Sequence, residues 1–113
     1  MNFDITQNDN FTIISSRVEK LDAMHAPELK ARLVELNKTG VNCFILNLSA
    51  TRYCDSSGLS AILTGNRLCK DTNGLFVLCG LQESVAKMVK IAQLDKVLRI
   101  TENLELAKAE LTA

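Results

Sequence analysis

The sequence predicts a single α/β domain over residues 1–113, with a mixed, mostly parallel sheet that opens with an N-terminal hairpin and is covered by about four helices. Two observations lead to this prediction. The segments NCFILNL and LFVLC are continuous apolar runs, which are typical of strands covered on both faces. Segments with helical spacing of apolar residues alternate with these runs, and 113 residues suit one domain. Such strand–helix–strand units place neighbouring strands parallel through right-handed crossovers.

The first elements are a strand pair and a helix. Residues 2–7 and 11–18 flank QNDN, a polar turn rich in Asn and Asp, and indicate the hairpin. The segment APELKARLVELNKTG, residues 26–40, predicts a helix with Pro27 in its first turn and a stop at Gly40. The apolar face of this helix is made of Leu29, Leu33 and Leu36.

A second strand–helix–strand unit follows. Residues 42–48, the run NCFILNL, predict a buried strand, and residues 58–74 predict a helix that ends at Gly74. The inward face of that helix is predicted to hold Leu59, Ile62, Leu63 and Cys69. The run LFVLC, residues 75–79, predicts another buried strand.

The last third of the chain predicts two helices around one short strand. Residues 82–94 and 102–113 have helical spacing, and residues 97–100 form the strand between them. The inward positions are predicted to be Val85, Met88, Val89 and Ala92 in the first helix and Leu104, Ala107 and Leu111 in the second. The predicted order is therefore β-β-α-β-α-β-α-β-α.

The composition argues against several function classes. Thirteen basic and thirteen acidic side chains balance, which disfavours binding to nucleic-acid phosphates or to an anionic membrane surface. No apolar stretch approaches the roughly 20 residues that span a bilayer, and the first ten residues lack the features of a signal peptide. We therefore expect a soluble cytoplasmic protein that binds neither nucleic acid nor membrane.

The cysteines and the single histidine do not indicate a metal site or a catalytic site. The cysteines are Cys43, Cys54, Cys69 and Cys79. Their spacing matches no zinc site, and reduced thiols in the core are expected, with Cys54 beside Asp55 the most exposed. His25 precedes the first helix without a cysteine or acidic pattern around it, and we interpret it as a surface or capping residue. We expect no enzyme activity, no metal and no cofactor.

The segment Asp55-Ser56-Ser57-Gly58 stands between a buried strand and an amphipathic helix. Asp and Ser accept hydrogen bonds from the first free N–H groups of a helix, so capping is one interpretation. The unpaired donors and partial positive charge of a helix N-terminus also stabilise a phosphoryl group. Phosphorylation there would change the surface charge without unfolding the domain. Ser56 and Ser57 are both candidates on this argument.

The segment LNLSATRYCDSSGLSAIL resembles the signature of the STAS domain, and in particular that of bacterial anti-sigma factor antagonists. The matching residues are Asn47 and Leu48, Asp55 to Leu59, and, in the upstream segment EKLDAMHAPEL, Leu21 and Asp22. The resemblance covers essentially the whole chain, which implies a STAS-like fold. It also implies that Ser56, directly after the aspartate, is the phosphorylated residue. The implied partner-binding residues are Asp22, Asp55, Ser56, Ser57, Gly58 and Leu59.

The resemblance implies a partner-switching protein that catalyses nothing itself. Its unphosphorylated form binds an anti-sigma factor, usually a serine kinase, and thereby frees a sigma factor. The kinase phosphorylates Ser56 and the complex dissociates, and a PP2C-type phosphatase restores the binding form. The alternative is a non-phosphorylated STAS subunit of a transporter or sensory assembly, in which Ser56 only caps the helix.

Two departures from the family pattern affect the partner-facing surface. Ser60 stands where the family has glycine, and Glu19-Lys20 stands where it has Gly-Glu.

A receiver domain, which the strand-end Asp55 also suggests, needs an acidic pair after its first strand to hold Mg²⁺. Only Glu19 and then Asp22 follow the opening strands, and the hairpin does not suit a receiver, so we reject that alternative.

Overall fold

A five-stranded mixed sheet organises the structure, a computed structural model that describes residues 2–112. The strands are β1 (Phe3–Gln7), β2 (Thr12–Ser16), β3 (Lys20–Leu21), β4 (Cys43–Asn47), β5 (Tyr53–Cys54), β6 (Leu75–Cys79) and β7 (Arg99–Thr101). The helices are α1 (Ala26–Lys38), α2 (Ser56–Asp71), α3 (Glu83–Ile91) and α4 (Leu104–Thr112). The large sheet has the order β1-β2-β4-β6-β7, while β3 and β5 form a separate two-stranded sheet.

The first strand pair is antiparallel and the other neighbours in the large sheet are parallel. The carboxamide oxygen of Asn8 accepts hydrogen bonds from the N–H groups of Asn10 and Phe11, both at 2.9 Å, and these bonds close the turn between β1 and β2. The parallel strands are joined through α1, α2 and α3. The predicted fold class, a mostly parallel sheet with an N-terminal hairpin and four helices, is therefore confirmed.

The inner strands β4 and β6 are covered on both faces, as their continuous apolar runs predict. Phe44 and Leu46 belong to the core cluster that includes residues of α1, α2 and α3. The alternate residues Ile45 and Val77 pack on the opposite face, where they meet Ala107 of α4. Because side chains alternate across a strand, each inner strand serves two cores at once.

The helices bury the faces that their apolar spacing predicts. The predicted positions that are buried are Leu29, Leu33, Leu59, Ile62, Cys69, Val85, Val89 and Ala107. Gly40 follows α1 with a φ of 107°, a left-handed conformation that favours glycine and ends the helix as predicted. Within residues 2–112, no helix has both the length and the apolar character needed to cross a membrane.

The third helix and the last strand have different bounds from those predicted. α3 ends at Ile91 because Gln93 adopts a left-handed conformation (φ 60°), and Leu94–Lys96 form a 3₁₀ turn. Ala92 is consequently exposed, so the prediction that it faces inward is wrong. For the same reason β7 begins at Arg99, later than predicted.

Candidate functional site

The two-stranded sheet brings together two segments that are far apart in the sequence. β3 and β5 pair in parallel, and the N–H of Asp55 donates to the carbonyl of Leu21 at 3.3 Å. The residue after Leu21 is Asp22, so the segment that carries it lies beside the corner that carries Asp55. The structure therefore joins the two parts of the predicted partner surface. Sequence reasoning missed this pairing because strands of two residues have no periodicity to detect.

Asp55 is the cap of α2. Its backbone is extended (φ −102°, ψ −171°), and its Oδ1 accepts a hydrogen bond from the N–H of Gly58 at 3.0 Å. The helix starts at Ser56, two positions before the predicted start at Gly58. Ser56 and Ser57 thus occupy the first turn, and within residues 2–112 neither hydroxyl forms a hydrogen bond. The capping role considered for the serines belongs to the aspartate.

Exposure differs between the two serines. The side chain of Ser56 is exposed, whereas Ser57 and the capping Asp55 are half-buried. A kinase needs an accessible hydroxyl, so exposure favours Ser56 over Ser57 on geometry alone. The chemistry of the segment had left these two residues equivalent.

Gly58 and Leu59 contribute to the site from below its surface. Gly58 is buried, and a Cβ atom built on it would overlap the carbonyl oxygen of Leu21 and lie 2.6 Å from the Sγ of Cys54. Leu59 is 7% exposed and belongs to the main core. Both were predicted as partner-binding residues. Both residues lie beneath the surface of the corner, Gly58 against Leu21 and Cys54 and Leu59 in the main core, and their contact with a partner stays a prediction.

Asp22 closes a turn ahead of α1. Its Oδ1 accepts hydrogen bonds from the N–H groups of Met24 (3.1 Å) and His25 (3.3 Å), and it lies 3.1 Å from the Nδ1 of His25. That Nδ1 is also 3.0 Å from the carbonyl oxygen of Lys20. His25 occupies the N-cap position of α1, yet its side chain forms no capping hydrogen bond. The sequence pattern did not indicate an acidic partner for His25, and the turn folds Asp22 back onto it.

The same contacts keep Asp22 ionised. Desolvation acts to raise its pKa, but the hydrogen bonds from Met24 and His25 and the nearby imidazole together hold the pKa of this carboxyl below its ordinary value of 3.8. Asp22 is half-buried and carries its negative charge next to the corner. The site therefore holds a fixed carboxylate on the β3 side.

A groove of about 360 Å³ separates the start of α1 from the start of α2. Its lining residues are Ala23, Ala26, Pro27 and Lys30 on one side and Ser56, Ser57 and Ser60 on the other. Met24 and Tyr53, on the segments that form the two-stranded sheet and its exit, are 81% and 47% exposed. Tyrosine and methionine are among the side chains enriched in protein–protein interfaces.

The loop before the corner is held by polar side chains that sequence reasoning did not single out. Thr51 is fully buried, and its hydroxyl donates to the carbonyl of Val18 at 2.8 Å and pairs with the hydroxyl of Ser16 at 2.7 Å. From the other side, the amide of Gln82 donates to the carbonyl of Ser49 at 2.7 Å. These bonds fix the loop that presents the serines. A threonine in a polar loop gives no sequence signal of such burial.

Cys54 is fully buried, and the expectation that it is the more exposed thiol is wrong. β5 turns its side chain under Gly58, as the close approach of Sγ to that residue shows. Burial, with a smaller contribution from the neighbouring Asp55, raises the pKa of the Cys54 thiol to about 12. The thiol is thus protonated at neutral pH and is not a nucleophile.

A family model for the STAS domain matches residues 2–107, which include every residue of the site. Solved structures with the same fold include a candidate anti-sigma factor antagonist from Thermotoga maritima. It is 22% identical, with a TM-score of 0.88, and the match covers 98% of this chain and 95% of that one.

Two further similar structures differ in the function that they represent. The phosphorylated form of SpoIIAA, a cell fate determinant of Bacillus, is 18% identical with a TM-score of 0.77, over 98% of this chain and 99% of that one. A sulfate transporter family protein from Wolinella succinogenes is 17% identical with a TM-score of 0.77, over 88% of this chain and 83% of that one. At these identities the likeness establishes the fold.

Proposed function

Since this chain belongs to the STAS domain family, we propose that it is an anti-sigma factor antagonist whose partner binding is switched by phosphorylation of Ser56. The observation that carries the proposal is the exposed hydroxyl of Ser56 in the first turn of α2, which has no hydrogen-bond partner within residues 2–112. Asp55 already caps the helix, so a phosphoryl group on Ser56 displaces no hydrogen bond among residues 2–112.

In the proposed cycle, the unphosphorylated domain binds an anti-sigma factor that is a serine kinase, and a sigma factor is released. The surface offered to the kinase combines Asp22, Asp55, Ser56 and Ser57 with the exposed side chains of Met24 and Tyr53. Gly58 and Leu59 hold that surface in place from below. The likeness to SpoIIAA, which has been solved in phosphorylated form, supports this assignment.

The phosphoryl transfer itself relies on groups of the kinase. Within residues 2–112 no imidazole or carboxylate hydrogen-bonds to the hydroxyl of Ser56. In the proposed cycle the kinase supplies the base that takes the hydroxyl proton, while ATP transfers its γ-phosphoryl group to the serine oxygen and leaves as ADP. The added charge, about −1.5 to −2 at pH 7, repels the docked partner, and a PP2C-type phosphatase hydrolyses the ester to restore binding.

A second candidate function is that of an accessory STAS subunit in a transporter assembly. The observation that favours it is the likeness to the sulfate transporter family protein. In that role Ser56 stays unmodified, and the surface around the groove is a permanent contact.

Peptide-mapping mass spectrometry on protein purified from its native cells, across growth and stress conditions, separates the two functions. A single phosphate on Ser56 is the result expected of the partner switch. Its absence under all conditions contradicts the switch and favours the accessory subunit.

The matched variants are Ser56→Ala and Ser57→Ala, each incubated with the serine kinase and ATP. We expect Ser56→Ala to lose all phosphate and Ser57→Ala to keep it. Phosphate lost from the Ser57 variant instead would move the site by one residue.

A further inference from the structure

Lys30 is a cation on α1 that faces the serines of α2 across the groove. Lys30, Ser56 and Ser60 line the same cavity, and Lys30 is the one charged residue in its lining among residues 2–112. Within that described part of the chain Lys30 forms no ion pair, whereas Arg32 on the same helix is 3.5 Å from Glu35. In the part of the chain that the structure describes, the ammonium group of Lys30 is thus a cation without an ion-pair partner, and it shares the groove with the serine proposed to be modified.

The carboxylates near the groove are engaged elsewhere. Oδ1 of Asp55 accepts the N–H of Gly58, and Oδ1 of Asp22 accepts the N–H groups of its own turn and contacts His25. Neither carboxylate belongs to the lining of the cavity. An anion that enters the groove therefore meets Lys30 without competition from these two groups.

Ser60 adds a second hydroxyl to the groove, one helical turn beyond Ser56 on α2. It follows Ser56 by four residues, a spacing that places both side chains on one face of a helix. Its carbonyl accepts a hydrogen bond from Thr64 at 3.0 Å, but within residues 2–112 its hydroxyl has no partner. The glycine that the family pattern has at this position would leave the groove with one hydroxyl fewer.

We propose that Lys30, with Ser60 as a second donor, holds the phosphoryl group of Ser56 inside the groove. The inference rests on the proposed function and adds to it the residues that position the modified side chain. A cation in the lining of the same groove favours the doubly charged form of the phosphate over the singly charged one. The phosphorylated state thereby keeps its full charge at a lower pH, and the phosphate stays on the surface of its own domain.

The test is a ³¹P NMR pH titration of the full chain with phosphoserine installed at position 56 during translation, so that no kinase is needed. The second pKa of phosphoserine is near 6 when unperturbed. We expect it to rise by about 0.3 to 0.7 units in Lys30→Gln relative to the wild-type chain, the size of an exposed ion pair. Lys30→Arg is expected to keep the wild-type value, and Ser60→Gly to show a smaller rise.

Lys38→Gln is the matched control, because it removes the same charge from the same helix about two turns further on. It is expected to leave the phosphoserine pKa unchanged. Equal values for the wild-type chain and Lys30→Gln would overturn the proposal, as would an equal rise in Lys38→Gln. A kinase that leaves Ser56 unmodified contradicts the proposed function alone, since the titration uses phosphate already in place.

Discussion

The two helices that border the groove begin in different ways. α1 follows a turn in which Asp22 accepts the N–H of Ala26 through its backbone carbonyl, at 2.7 Å, while its carboxylate accepts earlier N–H groups of the turn. Pro27 then enters the first turn with no N–H to satisfy. α2 instead leaves an extended Asp55 directly, and that single carboxylate accepts the N–H of Gly58.

The difference shows how a side chain that we propose is phosphorylated is kept in a stable helix. At α1 a local turn uses the free donors, and its carboxylate is turned inward to His25. At α2 the cap comes from the residue before the helix, which leaves the hydroxyl of Ser56 exposed and without a hydrogen-bond partner among residues 2–112. A modification there changes the surface and not the fold.

The largest expected effect concerns partner binding at the start of α2. Ser56→Asp places a permanent charge on the proposed docking surface, and we expect an anti-sigma factor to bind this variant at least about tenfold more weakly, a loss of about 1.4 kcal/mol. Ser56→Ala is expected to bind normally and to resist inactivation by the kinase. Isothermal titration calorimetry measures both, and equal affinities would count against the switch.

The next effect concerns stability, through the contact between α2 and the two-stranded sheet. Gly58→Ala forces a methyl group against Leu21 and Cys54, and overpacking of this kind costs about 1 to 3 kcal/mol. The exposed control Ser60→Ala, two residues further along, is expected to stay within about 0.5 kcal/mol of the wild-type chain. Urea denaturation measures both. A Gly58→Ala variant as stable as the control would show that Leu21 and Cys54 move aside to accommodate the methyl group.

A smaller effect is expected from removal of the cap of α2. Asp55→Ala deletes the acceptor of the Gly58 N–H and should lower the free energy of unfolding by about 1 kcal/mol. Asp55→Asn keeps an acceptor oxygen and should restore most of that loss. The two variants are compared by urea denaturation. If both lose the same stability, the carboxylate acts through something other than its hydrogen bond.

The smallest effect is at the start of α1 and appears only in acid. Because the folded pKa of Asp22 lies below its unfolded value, this group stabilises the fold above the unfolded pKa, and the contribution is lost as the pH falls through the folded one. Asp22→Asn should therefore flatten the fall in melting temperature below about pH 4. Calorimetric scans between about pH 2 and pH 6 test this, and parallel curves for the two chains would contradict it.

Long apolar patterns made the fold predictable. Strands β4 and β6 and one face of α1 are buried. Buried elements have apolar residues at a spacing that can be recognised in the sequence. The resemblance carried by the corner segment is confirmed by the family match over residues 2–107. The same segment predicted where the candidate site lies. The phosphorylation of Ser56 and the binding partners of the domain stay predictions.

Features that depend on contacts between distant residues were not predictable. The pairing of Lys20 with Tyr53 requires the rest of the domain to bring two short segments together. The burial of Cys54 follows from that pairing, and the contact between Asp22 and His25 follows from a turn that the sequence pattern does not reveal. Each of these features depends on contacts that the local sequence pattern does not determine.

The burial of Cys54 also provides a way to measure how often the site opens locally. A protonated thiol enclosed beneath Gly58 reacts with an alkylating reagent only when the junction of β5 and α2 opens. The rate at which that one cysteine is labelled, read by peptide mapping against the buried Cys69, reports how often the corner detaches while the rest of the domain stays folded. Partner docking or phosphorylation that tightens or loosens the corner is therefore recorded as a change in labelling rate, with no probe added to the surface.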